Sequence, residues 1–167
     1  MAKWRRKVEP LSIRSRPPSP HSCRFEGGIV MGFERFGVIS FTSQTKAAPF
    51  VDFLDRGLLM GTACKGCGAL YFPPRMDCCR CLSKDMDWVE VKGRGRLISY
   101  STLMYAPTGF EADLPYTLAL VEFENGMKVF GRLSKEIKEE EIAIGMELSY
   151  QPVRRAEDRL TYEFRKV

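Results

Sequence analysis

Apolar residues take helical spacing once near the start of the chain and strand spacing over most of the rest. Phe50, Phe53, Leu54 and Leu58 stand at i, i+3, i+4 and i+8, one face of a helix. Pro49 suits a first helical turn and Gly57 an end. A short helix is therefore expected over about residues 47–57, with its apolar stripe as a packing face. An extended segment, 58–63, then runs into a group of cysteines. Beyond residue 88 the stretches WVEV, RLISYSTLMY, YTLALVEFE, MKVFGRL, MELSYQPV and LTYEFRKV read as strands. Asn125-Gly126 between two apolar runs marks a hairpin. YTLALVEFE alternates only loosely, as expected of a barrel strand covered on both sides. SKEIKEEEIAIG is a polar connection with about one helical turn, ending at Gly145. Its acidic run reads as a solvated face.

These elements predict a mainly β protein: an N-terminal helix, a cysteine-rich ribbon, and a five-stranded Greek-key barrel of the OB type with glycine kinks at Gly93 and Gly95. The expected divisions are a tail over 1–30, a helical segment over 31–61, the ribbon over 62–87 and the barrel over 88–167.

The segment CKGCGALYFPPRMDCCRC holds five of the chain's six cysteines. Cys64 and Cys67 have the same internal spacing as Cys78 and Cys81. A C-x-x-C turn aims two thiolates at one ion, and Gly66 and Gly68 are expected to supply the positive φ that such a turn needs. A hairpin through 69–77 then closes a four-thiolate tetrahedral site on Cys64, Cys67, Cys78 and Cys81. Cys79 is the spare, because pairing it with Cys81 leaves a C-x-C spacing. Four thiolates fill the coordination shell, so the site is read as structural and not catalytic. Short ribbon spacing favours Zn2+; iron remains the competitor, since CKGCG followed by an aromatic also resembles a rubredoxin knuckle.

Composition narrows the function. The chain has 167 residues, enough for one domain or two small ones. Its net charge of +5 is carried entirely by residues 1–30, and residues 31–167 balance to zero, so the body lacks the basic footprint of a phosphate-tracking surface. The tail is rich in Pro, Ser and Arg. It is read as a basic arm, a transit peptide, or a segment upstream of a native start at Met31, since Glu26-Gly27-Gly28 can be encoded by a purine-rich ribosome-binding sequence. No apolar run approaches the roughly 18 residues that span a bilayer, and no secretory core is evident. A cytoplasmic location is expected, where paired cysteines mean metal more often than disulfide. The single histidine is His21, so no imidazole-based catalytic group follows Met31 and independent catalysis is not expected.

The order helix, C-x-x-CG-x-x-x-FPPR-x-x-C-x-x-C ribbon and barrel resembles the zinc-ribbon/OB-fold family of acyl-CoA-associated proteins, domain of unknown function 35. The match runs through Cys64, Cys67, Gly68, Phe72, Pro73, Pro74, Arg75, Cys78 and Cys81. The departure is Cys79, where the family usually has proline; this adds an oxidisable thiol beside the ligands. The resemblance implies an accessory subunit that stabilises a thiolase-fold catalytic partner and helps enclose a CoA thioester. Phe72 and Arg75 in the FPPR segment, and Tyr105 and Phe110 in the loop 105–116, are the expected contacts to partner or acyl-CoA. Two other readings stand beside it: a single-strand nucleic-acid module using Tyr100, Tyr116 and Phe130 with Lys128 and Arg132, and a rubredoxin-like electron carrier.

Overall fold

The computed structural model describes residues 32–37, 45–108, 110–155 and 158–167. The expectations for residues 1–31, including the alternative start, lie outside the described residues.

Helix α1 spans Pro49–Asp55, with proline in its first turn, and gives way at Gly57, whose φ of +85° a β-carbon would strain. Phe50, Val51 and Leu54 are buried on it, while Phe53 is half-buried with its ring tilted against Trp88 at a centroid distance of 5.3 Å. This is the predicted element, shorter by its frayed ends.

Three strands form the ribbon sheet in the order β2-β1-β3: β1 (Met60–Cys64), β2 (Leu70–Tyr71) and β3 (Met86–Glu90), both neighbours antiparallel to β1. Trp88 and Val89, read from the sequence with the later strands, pair with Thr62 and Gly61 of β1. The buried Thr62 hydroxyl joins this sheet to the loop beyond it, donating to the Arg75 carbonyl at 3.0 Å and accepting from the Arg75 N–H at 2.9 Å.

Strands β4 (Gly95–Leu103), β5 (Tyr116–Phe123), β6 (Lys128–Leu133), β7 (Glu147–Arg154) and β8 (Leu160–Lys166) close a barrel in the order β4-β5-β6-β8-β7. Four of these contacts are antiparallel, and β6 with β8 is parallel. A register shift between Leu97 and Ser99 marks a bulge in β4, which lets the strand bend round the barrel. The Asn125-Gly126 turn joins β5 to β6, with Gly126 at φ +80° and the Asn125 side-chain oxygen accepting from the Met127 N–H. The Asn125 amide also donates to the Glu90 carbonyl at 3.1 Å and so ties this hairpin to the ribbon.

One sequence expectation changes at β5. The strand does alternate: Ala119, Val121 and Phe123 point inward and are buried, while Leu118 and Leu120 are half-buried outside. Leucines on the outer face disguise a regular period as a continuous apolar run. Inside, those three residues share one core with Phe50, Val51 and Leu54 of α1, and with Val129, Leu148 and Phe164. The ribbon, the helix and the barrel are thus packed as one body.

Candidate metal centre

Both cysteine pairs sit on turns of the same construction. In the first, the Gly68 N–H donates to the Cys64 carbonyl at 2.8 Å and the Cys64 N–H to the Ala69 carbonyl at 2.9 Å. In the second, the Leu82 N–H donates to the Cys78 carbonyl and the Cys78 N–H to the Ser83 carbonyl, both at 2.9 Å. Such turns hold successive N–H groups close to the sulfurs. The amides of Arg80 and Cys81 reach the Cys78 sulfur, that of Ala69 reaches Cys67 and that of Ser83 reaches Cys81.

The four sulfurs of Cys64, Cys67, Cys78 and Cys81 lie within 4.8 Å of one another, with 3.4 Å between Cys64 and Cys81 and 3.5 Å between Cys67 and Cys78. A tetrahedral zinc–thiolate site has sulfur–sulfur edges of about 3.8 Å, so the donor set fits a tetrahedral ion. Cys64 and Cys78 are buried, Cys67 is half-buried and Cys81 exposed.

Electrostatics make the same point. The Tyr71 hydroxyl, 3.1 Å from the Cys78 sulfur, is the main influence holding that thiol down at about 6. Cys81 moves the other way: the Ser83 amide pulls it down, but the sulfurs of Cys64 and Cys78, with burial, push it up to about 12. Four thiolates this close repel one another, so without a cation some stay protonated. A divalent ion reverses that preference.

Gly68 takes the positive φ expected of it, +69°. Gly66 does not adopt a positive φ, which corrects the expectation that both glycines need one. The left-handed position is the one after the second cysteine of each pair, and in the second pair it belongs to Leu82, at +61°. Cys79 is exposed, and its thiol lies 3.5 Å from the Tyr71 hydroxyl, outside the group of four.

The other named residues are distributed around this centre. Phe72 is half-buried, its ring edge-on to Phe50 at 6.1 Å and to Tyr162 at 5.7 Å, so it joins the ribbon to the core. The Arg75 guanidinium stands over the Tyr71 ring at 5.7 Å. Tyr105 is 77% exposed. Phe110 lines a cavity of about 350 Å³ on the outside of β5, β6 and β8, together with Tyr116, Leu118 and Arg132. Beside it is an ion-pair cluster that sequence reasoning did not identify: Asp113 bridges Arg132 at 2.9 Å and Arg155 at 3.2 Å, and Arg155 reaches Glu163 at 3.4 Å. These residues come from a loop, two strands and a turn far apart in the chain, so no spacing announces them. Arg132, which also stands over the Tyr116 ring at 4.6 Å, is thereby neutralised and unavailable to a basic groove.

A four-thiolate ribbon joined to a five-stranded OB barrel defines the class of protein. Family models agree: the ChsH2 rubredoxin-like zinc ribbon domain matches residues 52–87 and the ChsH2 C-terminal OB-fold domain residues 88–151. The chain belongs to this ChsH2-type, DUF35 family of zinc-ribbon/OB-fold proteins. A DUF35 domain-containing scaffold protein of Methanocaldococcus jannaschii is 36% identical over 95 residues, which is 56% of this chain and 67% of the relative. The benzoylsuccinyl-CoA thiolase subunit BbsA of Geobacter metallireducens is 32% identical, covering 68% of this chain and 79% of the relative. Among solved structures, a chain of the Ltp2-ChsH2(DUF35) aldolase is similar with a TM-score of 0.63 at 28% identity, over 75% of this chain and 98% of that one. No helix among the described residues is long and apolar enough to cross a membrane.

Proposed function

We propose that this protein is a non-catalytic accessory subunit of a thiolase-fold acyl-CoA enzyme complex, with a structural Zn2+ held by Cys64, Cys67, Cys78 and Cys81. The observation that carries this reading is the closed sulfur cage: four donors from one chain leave no position for substrate or water. The ion's part is to tie the two knuckles together, so that ribbon, α1 and barrel present one rigid surface. Relatives described as a scaffold protein, a thiolase subunit and a component of an aldolase with Ltp2 support the same role.

On this reading the partner supplies the reacting groups, and this chain stabilises it and helps enclose CoA or the acyl chain. Tyr105 and Phe110, on the loop between β4 and β5, are the residues we assign to that contact, with Arg75 at the ribbon. Phe72 acts indirectly, by fixing the ribbon against the core.

The test is purification of the tagged chain from its own cells, with mass spectrometry of stoichiometric partners and metal analysis. A thiolase-fold subunit and one zinc per chain are expected. Recovery with nucleic acid, or with iron and visible colour, would overturn the reading.

A further inference from the structure

The two metal knuckles are built alike except at the residue that follows the second cysteine. The same pair of backbone hydrogen bonds closes each turn, and each turn drives that residue into the left-handed region, at +69° for Gly68 and +61° for Leu82. Glycine is at ease there, whereas the β-carbon of a leucine crowds the following carbonyl. Leu82 is also 82% exposed, so no buried apolar contact offsets the strain. Arg80 and Lys84 flank it, both exposed, and among the described residues neither has an ion-pair partner. The neighbouring Asp85 is already held by Lys65 at 3.0 Å. A strained, solvent-exposed leucine between two unpaired cations, on a turn anchored at Cys78 and Cys81, is poorly explained by stability of the chain alone.

We propose that the turn 79–84 is a docking element, in which Leu82 enters an apolar socket with an acidic rim on the catalytic partner subunit. This rests on the accessory-subunit reading and specifies the contact. Cys78 and Cys81 hold the turn on the N-terminal side of Leu82, and the Cys78 N–H bond to the Ser83 carbonyl holds it on the other, so the side chain is presented with little left to order on binding. A single apolar anchor seated in a pocket is where interface energy concentrates, and Arg80 and Lys84 guide it by charge. One leucine and two cations offer too little apolar area for a lipid surface.

The experiment uses the full chain and the partner recovered with it. Leu82→Gly is expected to raise Tm by about 2–4 °C, to keep its zinc, and to weaken partner binding by about tenfold or more. Leu82→Asn, which also tolerates the left-handed region, guards against a metal loss peculiar to glycine. Arg80→Glu with Lys84→Glu is expected to weaken binding and flatten its salt dependence. If the wild-type chain brings a thiolase-fold subunit and Leu82→Gly binds it equally well, the docking inference fails and the accessory reading stands. A wild-type chain with no such subunit overturns both. A lowered Tm for both Leu82 variants would show that the leucine is packed where it stands and would overturn the inference. Leu82-dependent binding to anionic phospholipid vesicles would assign the turn to lipid instead and overturn it.

Discussion

The Tyr71 hydroxyl lies 3.1 Å from the sulfur of Cys78 and is the main influence holding that thiol at about 6. Cys78 is an acid depressed by folding, so its share of the metal-free protein's stability is present above the ordinary thiol range and disappears as pH falls through about 6. Metal binding draws on the same thiolate. Tyr71→Phe is expected to weaken zinc affinity by about tenfold and to displace the loss of metal on acidification to higher pH. Chelator competition across a pH series checks both.

Gly61 sits where β1 passes the barrel. A β-carbon there would come within 2.5 Å of the Met127 Sδ and 2.7 Å of the Tyr71 carbonyl oxygen. The second contact is backbone and cannot swing aside. Gly61→Ala should cost about 1–3 kcal/mol, seen as a lower urea midpoint with zinc content unchanged.

The cage separates Cys79 from its neighbours. The amides that reach the Cys78 sulfur are those of Arg80 and Cys81, so the Cys79 N–H is not among those that serve it. Cys79→Pro is expected to keep one zinc and a near-normal Tm. Cys64→Ser removes a buried ligand and should lose the metal and unfold the ribbon. Metal analysis and near-ultraviolet circular dichroism distinguish the two; loss of zinc in Cys79→Pro would contradict the ligand assignment.

Asp113 holds the loop between β4 and β5 to the barrel. Burial alone would raise its carboxyl, but the Arg132 and Arg155 guanidiniums outweigh that and keep it below the usual carboxylate range. Its contribution is therefore present above the ordinary carboxylate pKa and lost as pH falls through the lowered value. With Arg132 and Asp113 only 13% and 19% exposed, Asp113→Asn should cost about 1–2 kcal/mol at neutral pH. It should also flatten the acid limb of stability, followed by urea unfolding at each pH.

Much of the architecture is legible locally. The four clustered cysteines announce themselves because each C-x-x-C turn is closed by hydrogen bonds spanning only a few residues, from Cys64 to Ala69 and from Cys78 to Ser83. The same holds for the Asn125-Gly126 hairpin and for α1 between Pro49 and Gly57. In these places neighbouring residues suffice to determine the conformation, and the spacing alone identifies helix, cysteine cluster and hairpin. The absence of histidine after Met31 likewise needs no structure.

Only the tertiary structure could decide which distant segments meet. Trp88 and Val89 pair with β1 because the ribbon must complete its sheet, not because their own pattern differs from that of a barrel strand. Phe72 turns toward Phe50 and Tyr162, and Arg132 is claimed by Asp113, through contacts made between residues far apart in sequence. Leu82 looks like an ordinary leucine until its φ and exposure are known. Spacing encodes interactions that close within a turn; burial, charge neutralisation and strain depend on what the collapse of the whole chain brings together.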